Sequence, residues 1–339
     1  MTPGSTRQGS MADPFSLALL ALVLAAVALD LAIGDPRRLP HPVVGMGAVI
    51  ARLERAWNHG PPRARRIRGA LMTALVVMGT WLLAWAAIAL LARLHPWLGW
   101  LAQWWLLASC LAIRGLRDAA LAVAVPLASG DLSAARRALS MIVGRDTEGL
   151  DEGEVARGAV ETVAENTVDG ITAPLFFALL GGAPLALAYK AVNTLDSMVG
   201  YRSERYLHFG RASARLDDAA NWVPARLTAL TLWLGALCLA RWERGLRTRG
   251  ALTATRREAP RHPSPNSGWP EAMVANLLGV QLGGNNRYRG EVSERARLGV
   301  PHQPLGAAHV PAAIRLMHGG WLGFLVLLAA VVQLGEALS

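Results

Sequence analysis

The stretch GALMTALVVMGTWLLAWAAIALLA, residues 69–92, runs 24 positions without a charged side chain. As a helix rising about 1.5 Å per residue it would be roughly 36 Å long, more than the ~30 Å hydrocarbon core of a bilayer. In that core every backbone N–H and C=O must find a partner inside the protein, which a helix provides for itself. FSLALLALVLAAVALDLAIG (15–34), WLGWLAQWWLLASCLAI (97–113) and GWLGFLVLLAAVVQLGEAL (320–338) have similar length and polarity. The chain of 339 residues is accordingly 53% hydrophobic and only 17% charged, well to the apolar side of a soluble domain. It reads as an integral membrane protein. The first run lacks a basic start and is long enough to span, so we read it as a helix rather than a cleavable signal.

The net charge of +10 sits in loops between apolar runs, as expected of segments facing the cytoplasm and anionic lipid. No basic-aromatic module accompanies it, so a nucleic-acid partner is not expected. Arg52, Arg55, Arg63, Arg65, Arg66 and Arg68 crowd the segment 35–68, whereas the turn between the second and third runs has only Arg93. The charge rule therefore puts the basic loop 35–68 in the cytoplasm, and a third crossing returns residues 114–170 to it. Cys110 and Cys238 lie in apolar runs with no partner spacing, and read as small core residues.

Two further apolar runs are ambiguous. ITAPLFFALLGGAPLALAY (171–189) is broken by Gly181, Gly182 and Pro184, and VPARLTALTLWLGALCLA (223–240) carries Arg226. If only one crossed, the arginine-rich 241–261 would lie outside, so both cross or neither does. We expect buried or re-entrant helices here. The resulting fold class is an all-α integral membrane protein with about four to five transmembrane helices and a helical catalytic region facing the cytoplasm. Its expected parts are a disordered tail (1–14), an N-terminal transmembrane region (15–113), a helical catalytic region (114–318) and a C-terminal transmembrane helix (319–339).

Four polar segments stand out within 114–318. DEGEVARGAVETVAEN (151–166) predicts a helix starting near Asp151, with Glu154, Glu161 and Glu165 along one face and Asp169 just beyond. A solvated acidic face is the plain alternative. LALAYKAVNTLDSMVG (185–200) holds Lys190, the only lysine among 34 basic residues. Where arginine has replaced lysine everywhere else, one retained ammonium suggests a compact charge aimed at a phosphoryl oxygen or carboxylate; a snorkelling surface lysine is the alternative. Asn193 lies one turn on.

RASARLDDAANWVPARL (211–227) offers Asp217, Asp218 and Asn221 at helical spacing, two carboxylates and an amide that suit Mg²⁺ bridging to phosphate. Arg202, Arg205, Arg211 and Arg215 precede it and could balance an anion. RHPSPNSGWPEAMVANLLGVQLGG (261–284) is a proline-stiffened turn carrying His262, Ser264, Asn266 and Glu271, then a helix. Its glycines at 279, 283 and 284 would admit a ligand closely. No Gly-x-x-x-x-Gly-Lys-Ser/Thr run, zinc-protease helix or nucleophile elbow occurs, so any nucleotide is held without a P-loop.

Together GDPRRLPHPVVGMG (34–47), GRDTEGLDEGEVARGAVETVAENTVDGITAPLF (144–176), YKAVNTLDSMVGYRSERYLHFGRASARLDDAANWVPARL (189–227) and HPSPNSGWPEAMVANLLGVQLGG (262–284) resemble, in order, the adenosylcobinamide-phosphate synthase family of cobalamin biosynthesis. The resemblance implies a membrane ligase that joins adenosylcobyric acid to 1-aminopropan-2-ol or its O-phosphate, with ATP as energy source. A carboxylate must first be phosphorylated, so an acyl phosphate is expected, formed with Mg²⁺ and shielding cations. Under that resemblance Asp217, Asp218 and Asn221 hold Mg²⁺, with Glu161 or Glu165 as a further ligand. Lys190 meets the transferring phosphoryl group, and Arg202 and Arg205 are secondary cations. Asn193, His262, Ser264, Asn266 and Glu271 bind substrate, and Glu165 or Asp169 is the base. An inner-membrane location shared with other late enzymes of the pathway makes association with them an expectation.

Three other classes fit the layout. A transporter would have 171–189 and 223–240 both spanning, with their carboxylates lining one pore. A non-catalytic sensor would need neither the stiff 262–270 loop nor the aspartate cluster. A prenyl-transferase-like enzyme would place its aspartates inside long apolar helices, whereas here they precede one.

Overall fold

The computed structural model describes residues 14–34, 41–288 and 290–338. All but the last residue of the tail expected to be disordered (1–14), together with Asp35, Arg37, Arg38 and Arg289, falls outside those residues. In chain order the helices are α1 (Leu17–Ile33), α2 (Pro42–Trp57), α3 (Pro62–Leu94), α4 (Pro96–Ala108), α5 (Ile113–Ala128), α6 (Leu132–Ser140) and α7 (Glu152–Thr167). A π-helical turn (Val168–Thr172) leads into α8 (Ala173–Val199), followed by α9 (Arg211–Ala220), α10 (Trp222–Leu239), α11 (Ala251–Glu258) and α12 (Gly268–Leu278). A hairpin of β1 (Leu282–Tyr288) and β2 (Glu291–Leu298) precedes α13 (His309–Leu338). The protein is an all-α membrane protein, with this one small sheet among the described residues.

Among the described residues, four helical stretches are long and apolar enough to cross a membrane: α3, Glu152–Val199 through α7 and α8, α10 and α13; α1, the first expected span, is a shorter apolar helix of 17 residues. The third expected crossing is corrected. Run 97–113 forms only the 13-residue α4, because the chain turns at Ser109–Leu111, where Ser109, Cys110 and Leu111 donate back to Trp105, Leu107 and Ala108. At about 1.5 Å per residue that helix reaches roughly 20 Å, short of the bilayer core. The inference that placed 114–170 in the cytoplasm thus lacks its third spanning helix. Run 171–189 is broken where its glycines stand: Gly181 has ψ 29° and Gly182 lies at φ 66°, ψ −163°, a left-handed backbone open to glycine. The spanning-length window of Glu152–Val199 is 72% buried within the protein, against 11% for α3; by length and apolarity both this stretch and α10, expected as buried or re-entrant, are able to cross.

The chain divides into two compact units. The first comprises residues up to Leu111, Pro174–Asp217 and Leu327 onward. Within it α3 and α4 fold back on each other at Gly99, where a Cβ would come within 2.6 Å of Ala92 Cβ. Leu19, Leu22, Ile50, Met72, Leu107 and Leu175 are sealed in its core.

The second unit comprises Ala112–Ala173 and Asp218–Val326. Its helix α7 starts as predicted: the Asp151 carboxylate caps it, accepting from Glu154 N at 2.8 Å. Helices α10 and α13 cross at glycines; a Cβ on Gly235 would fall 2.5 Å from the Gly319 carbonyl carbon. The antiparallel hairpin pairs Gly284 with Arg295, Asn286 with Ser293 and Tyr288 with Glu291. Its strands, LGGNNRY and EVSERARL, lack an apolar alternation, so nothing in the sequence marks them as half-buried strands. Two of the glycines expected to admit a ligand also have uses within the chain. Gly279 (φ 66°) ends α12 in left-handed conformation, and Gly283 (φ 80°) lets β1 approach the Ala296 carbonyl.

Candidate functional site

Helix α7 projects Glu154, Arg157, Glu161 and Glu165 toward the elements around it in the second unit. Arg157 and Glu161 are one turn apart and joined, Nη1 to Oε1, at 3.1 Å. Arg145, from the turn before α7, donates from Nη1 to Glu161 Oε2 at 2.9 Å and to Asn286 Oδ1. Gly283 N donates to Glu161 Oε1 at 2.8 Å, and Arg157 Nη2 reaches Asn285 O and Asn286 Oδ1, each at 3.0 Å. Both Glu161 oxygens thus accept from guanidinium groups in a buried setting, which satisfies the carboxylate without a metal ion. The pairs staple the hairpin to α7. Gly158 is small so that Arg145 can lie across the helix; a Cβ there would come within 2.3 Å of Arg145 Nη2. The sequence reading missed Arg145, Arg157 and Asn286, and its usable signal was Arg157 falling between two α7 glutamates at helical spacing.

Further along α7, Glu165 heads a second chain of contacts. Ser267 Oγ donates to Glu165 Oε1 at 2.9 Å. Ser264 Oγ accepts from the backbone N–H of Asn266 and of Ser267, each at 3.2 Å, which fixes the turn before α12. Asn266 Nδ2 donates to the Asp218 carbonyl at 2.8 Å. The structure therefore links four expected site residues, Glu165, Ser264, Asn266 and Asp218, through Ser267. Asp169 lies in the π-helical turn just past α7.

His262 Nδ1 accepts from Ser264 N at 3.0 Å, placing the ring proton on Nε2, 3.7 Å from Glu271 Oε1. Burial holds the His262 imidazolium below its ordinary range, with Arg295 adding to the effect. Burial first, then Glu161 and Glu165, pushes the Glu271 carboxyl well above its ordinary range. Both shifts disfavour the charged forms, so burial opposes an ion pair between the two. Gly268 makes this turn possible, since a Cβ would clash with Ala259 O and His262 Cβ.

The first unit holds the remaining candidates. Lys190 and Asn193 lie one turn apart on α8, both half-buried, and Arg202 is exposed in the loop after it. Arg205 is paired with a residue the sequence reading did not consider: its Nε and Nη2 donate to the two Glu54 oxygens, both at 2.9 Å. Asn58 Nδ2 adds a bond to Glu54 at 2.9 Å and Arg65 Nε one to Asn58 Oδ1 at 2.8 Å. This clamp binds the 200–210 loop to the α2–α3 turn, and Glu54 was not foreseen. Asp217 and Asp218 close α9, and buried Asn221 follows at the start of α10. Among the described residues no three His, Cys, Asp or Glu side chains gather as metal ligands. Two aspartates with an amide still suit Mg²⁺, which takes most of its oxygens from phosphate and water.

Comparison with known proteins places the chain. The family model described as CobD/Cbib protein matches residues 23–317. The chain is 51% identical over 306 residues to the cobalamin biosynthesis protein CobD of Halalkalibacterium halodurans, covering 90% of this chain and 94% of that one. It is 53% identical over 312 residues to CobD of Geobacter metallireducens, covering 92% and 96%. It is 47% identical over 327 residues to the cobalamin biosynthesis protein CbiB of Salmonella typhimurium, covering 95% and 99%. No solved structure matches it.

Proposed function

The chain belongs to the CobD/CbiB family and to cobalamin biosynthesis, and from that premise we propose that it is an ATP-dependent amide ligase. It joins a propionate carboxylate of adenosylcobyric acid to the amine of 1-aminopropan-2-ol or its O-phosphate. The observation that carries this reading is the hydrogen-bonded chain from Glu165 through Ser267, Ser264 and Asn266 to Asp218. It sets a carboxylate, two hydroxyls and an amide next to the Asp218 backbone, polar groups that can orient a carboxylate and a phosphate for direct phosphoryl transfer.

In the first step a carboxylate oxygen of the corrinoid attacks the γ-phosphorus of ATP. The new O–P bond forms as the bond to the β-phosphate oxygen breaks, and ADP leaves. Lys190 draws the two meeting anions together, with Arg202 as a second cation. Mg²⁺, held by Asp217, Asp218 and Asn221, would neutralise charge on the phosphates. In the second step the amine lone pair attacks the acyl carbon, the C–N bond forms and phosphate departs with the C–O electron pair. Glu165 takes the ammonium proton, with Asp169 as the other carboxylate in reach of that role. Asn193, Ser264 and Asn266 orient substrate. Glu161, held between two arginines, is a structural carboxylate in this scheme, and Arg205 a clamp. Because the reaction consumes ATP, we place residues 114–318 on the cytoplasmic face of the cell's inner membrane.

The test is an assay of detergent-solubilised protein with adenosylcobyric acid, aminopropanol or its phosphate, ATP and Mg²⁺, following ADP and amide together. Amide formed in step with ADP, abolished by chelating Mg²⁺ and lost in Asp217→Asn, is the expected result. The break at Gly181–Gly182 favours one competing reading, a transporter, because substrate sites of transporters use interrupted helices. Folded, lipid-supplied protein that shows no substrate-dependent ATP turnover but passes a corrinoid into vesicles would decide for it.

A further inference from the structure

Arg226 stands in the first turn of α10 between two indoles. Its guanidinium carbon lies 4.2 Å from the Trp222 ring centroid and 4.9 Å from that of Trp269. Nη1 donates to the Trp222 carbonyl at 2.6 Å and to Asn266 Oδ1 at 3.4 Å. The Asn266 amide is itself oriented, since its Nδ2 must point at the Asp218 carbonyl. The guanidinium plane is thus held by ring contacts and one nitrogen, while Nε–H and both Nη2–H donate to no protein group among the described residues.

That unpaired edge is the planar fork that binds a carboxylate or phosphate through two parallel bonds. Indole contacts stabilise the cation and keep it from folding onto the surface. Arginine near a helix end is common, but a simple surface anchor would not need its orientation specified through Asn266. Asn266 ties the fork to Asp218.

We propose that Arg226 is a phosphate-binding residue that grips the polyphosphate of the nucleotide beside Asp218. The proposal rests on the ligase reading for the identity of the anion. The chemistry it needs, a bidentate oxyanion, is shared by a phospholipid headgroup, so the experiment separates the two.

Full-length protein in phosphatidylcholine nanodiscs is titrated with a non-hydrolysable ATP analogue and, separately, with inorganic triphosphate. Arg226→Lys, which keeps the charge but not the fork, and Trp269→Leu, which frees the guanidinium, are compared with wild type. Unchanged thermal unfolding in Arg226→Lys shows that the fold survives. The expected result is about tenfold or greater loss of affinity for both anions in Arg226→Lys, with KM for ATP raised and KM for the amine unmoved. Trp269→Leu should fall between. Wild-type affinity and wild-type KM for ATP in Arg226→Lys would overturn the proposal and leave the ligase intact. Triphosphate binding that Arg226→Lys abolishes, in a protein that makes no amide, would keep the fork and sink the ligase. Activity that needs anionic lipid, with nucleotide affinity unaffected by the substitution, would assign the fork to a headgroup and overturn the proposal.

Discussion

Lys190 is the only lysine in this chain, and its side chain differs from arginine in shape: a compact charge approaches one oxygen, a planar fork grips two. Lys190→Arg is expected to leave the fold intact and lower amide formation by about a hundredfold or more, as loss of a transition-state contact does. Near-normal turnover in that variant would remove Lys190 from the reaction. The Glu54–Arg205 clamp makes a different residue-scale prediction. The hydrogen bond from Arg205 lowers the Glu54 pKa below its ordinary 4.5. Its stabilisation is therefore complete above pH 4.5 and disappears as pH falls through the depressed value. Proteolytic cutting in the 200–210 loop should accelerate over that acid window, and in Glu54→Gln the cutting rate should be high at neutral pH and largely flat across it. Ser264 and Asn266 stood out in the sequence as short polar side chains in a proline-stiffened turn, and the structure places both in one hydrogen-bonded turn before α12. Glu54 and Arg145 did not stand out, because a partner 151 or 16 positions away leaves no local trace.

Elements in this protein are placed by what glycine permits. Helix α7 is stapled to the hairpin by Arg145 and Arg157 on Glu161, and removing one member of a buried ionic group costs about 3–5 kcal/mol. Arg145→Met should cost that order, and Gly158→Val should approach it by expelling the Arg145 side chain. Urea or thermal unfolding in detergent, with proteolysis of the hairpin as a local probe, reads both. The α10–α13 crossing depends on Gly235 and Gly319 meeting backbone to backbone, so Gly235→Leu should part the helices and destabilise more than Ala→Leu at an exposed α10 position. The α7 start was legible at Asp151 because an N-cap is a local device. The hairpin was not, because its buried apolar residues are only Leu282 and Leu298 at its open end, and the buried side chain between them in β1 is Asn286, bound to arginines of other elements.

For the whole molecule, length and apolarity identify four helices able to cross a bilayer, but crossing and orientation are properties of the chain in its membrane. If 114–318 faces ATP, a cysteine placed at Ser203 or Glu291 in a Cys238→Ser background should react with an impermeant thiol reagent only in inside-out vesicles. Reaction of both from the outside of intact cells would place the proposed site where no ATP is found. The sequence by itself determined that this is an all-α membrane protein, where α3, α7 and α13 lie and, through ordered motifs, to which family it belongs. Hydrophobic runs, caps and motifs are all written in neighbouring residues. Tertiary structure alone decided that α4 stops short of a span, that Glu161 and Arg205 are held in ion pairs, and that Arg226 is presented edge-on. Each of those outcomes depends on a partner brought close by folding, and the desolvated interior, where a charge must be matched, exists only once the chain has closed around it.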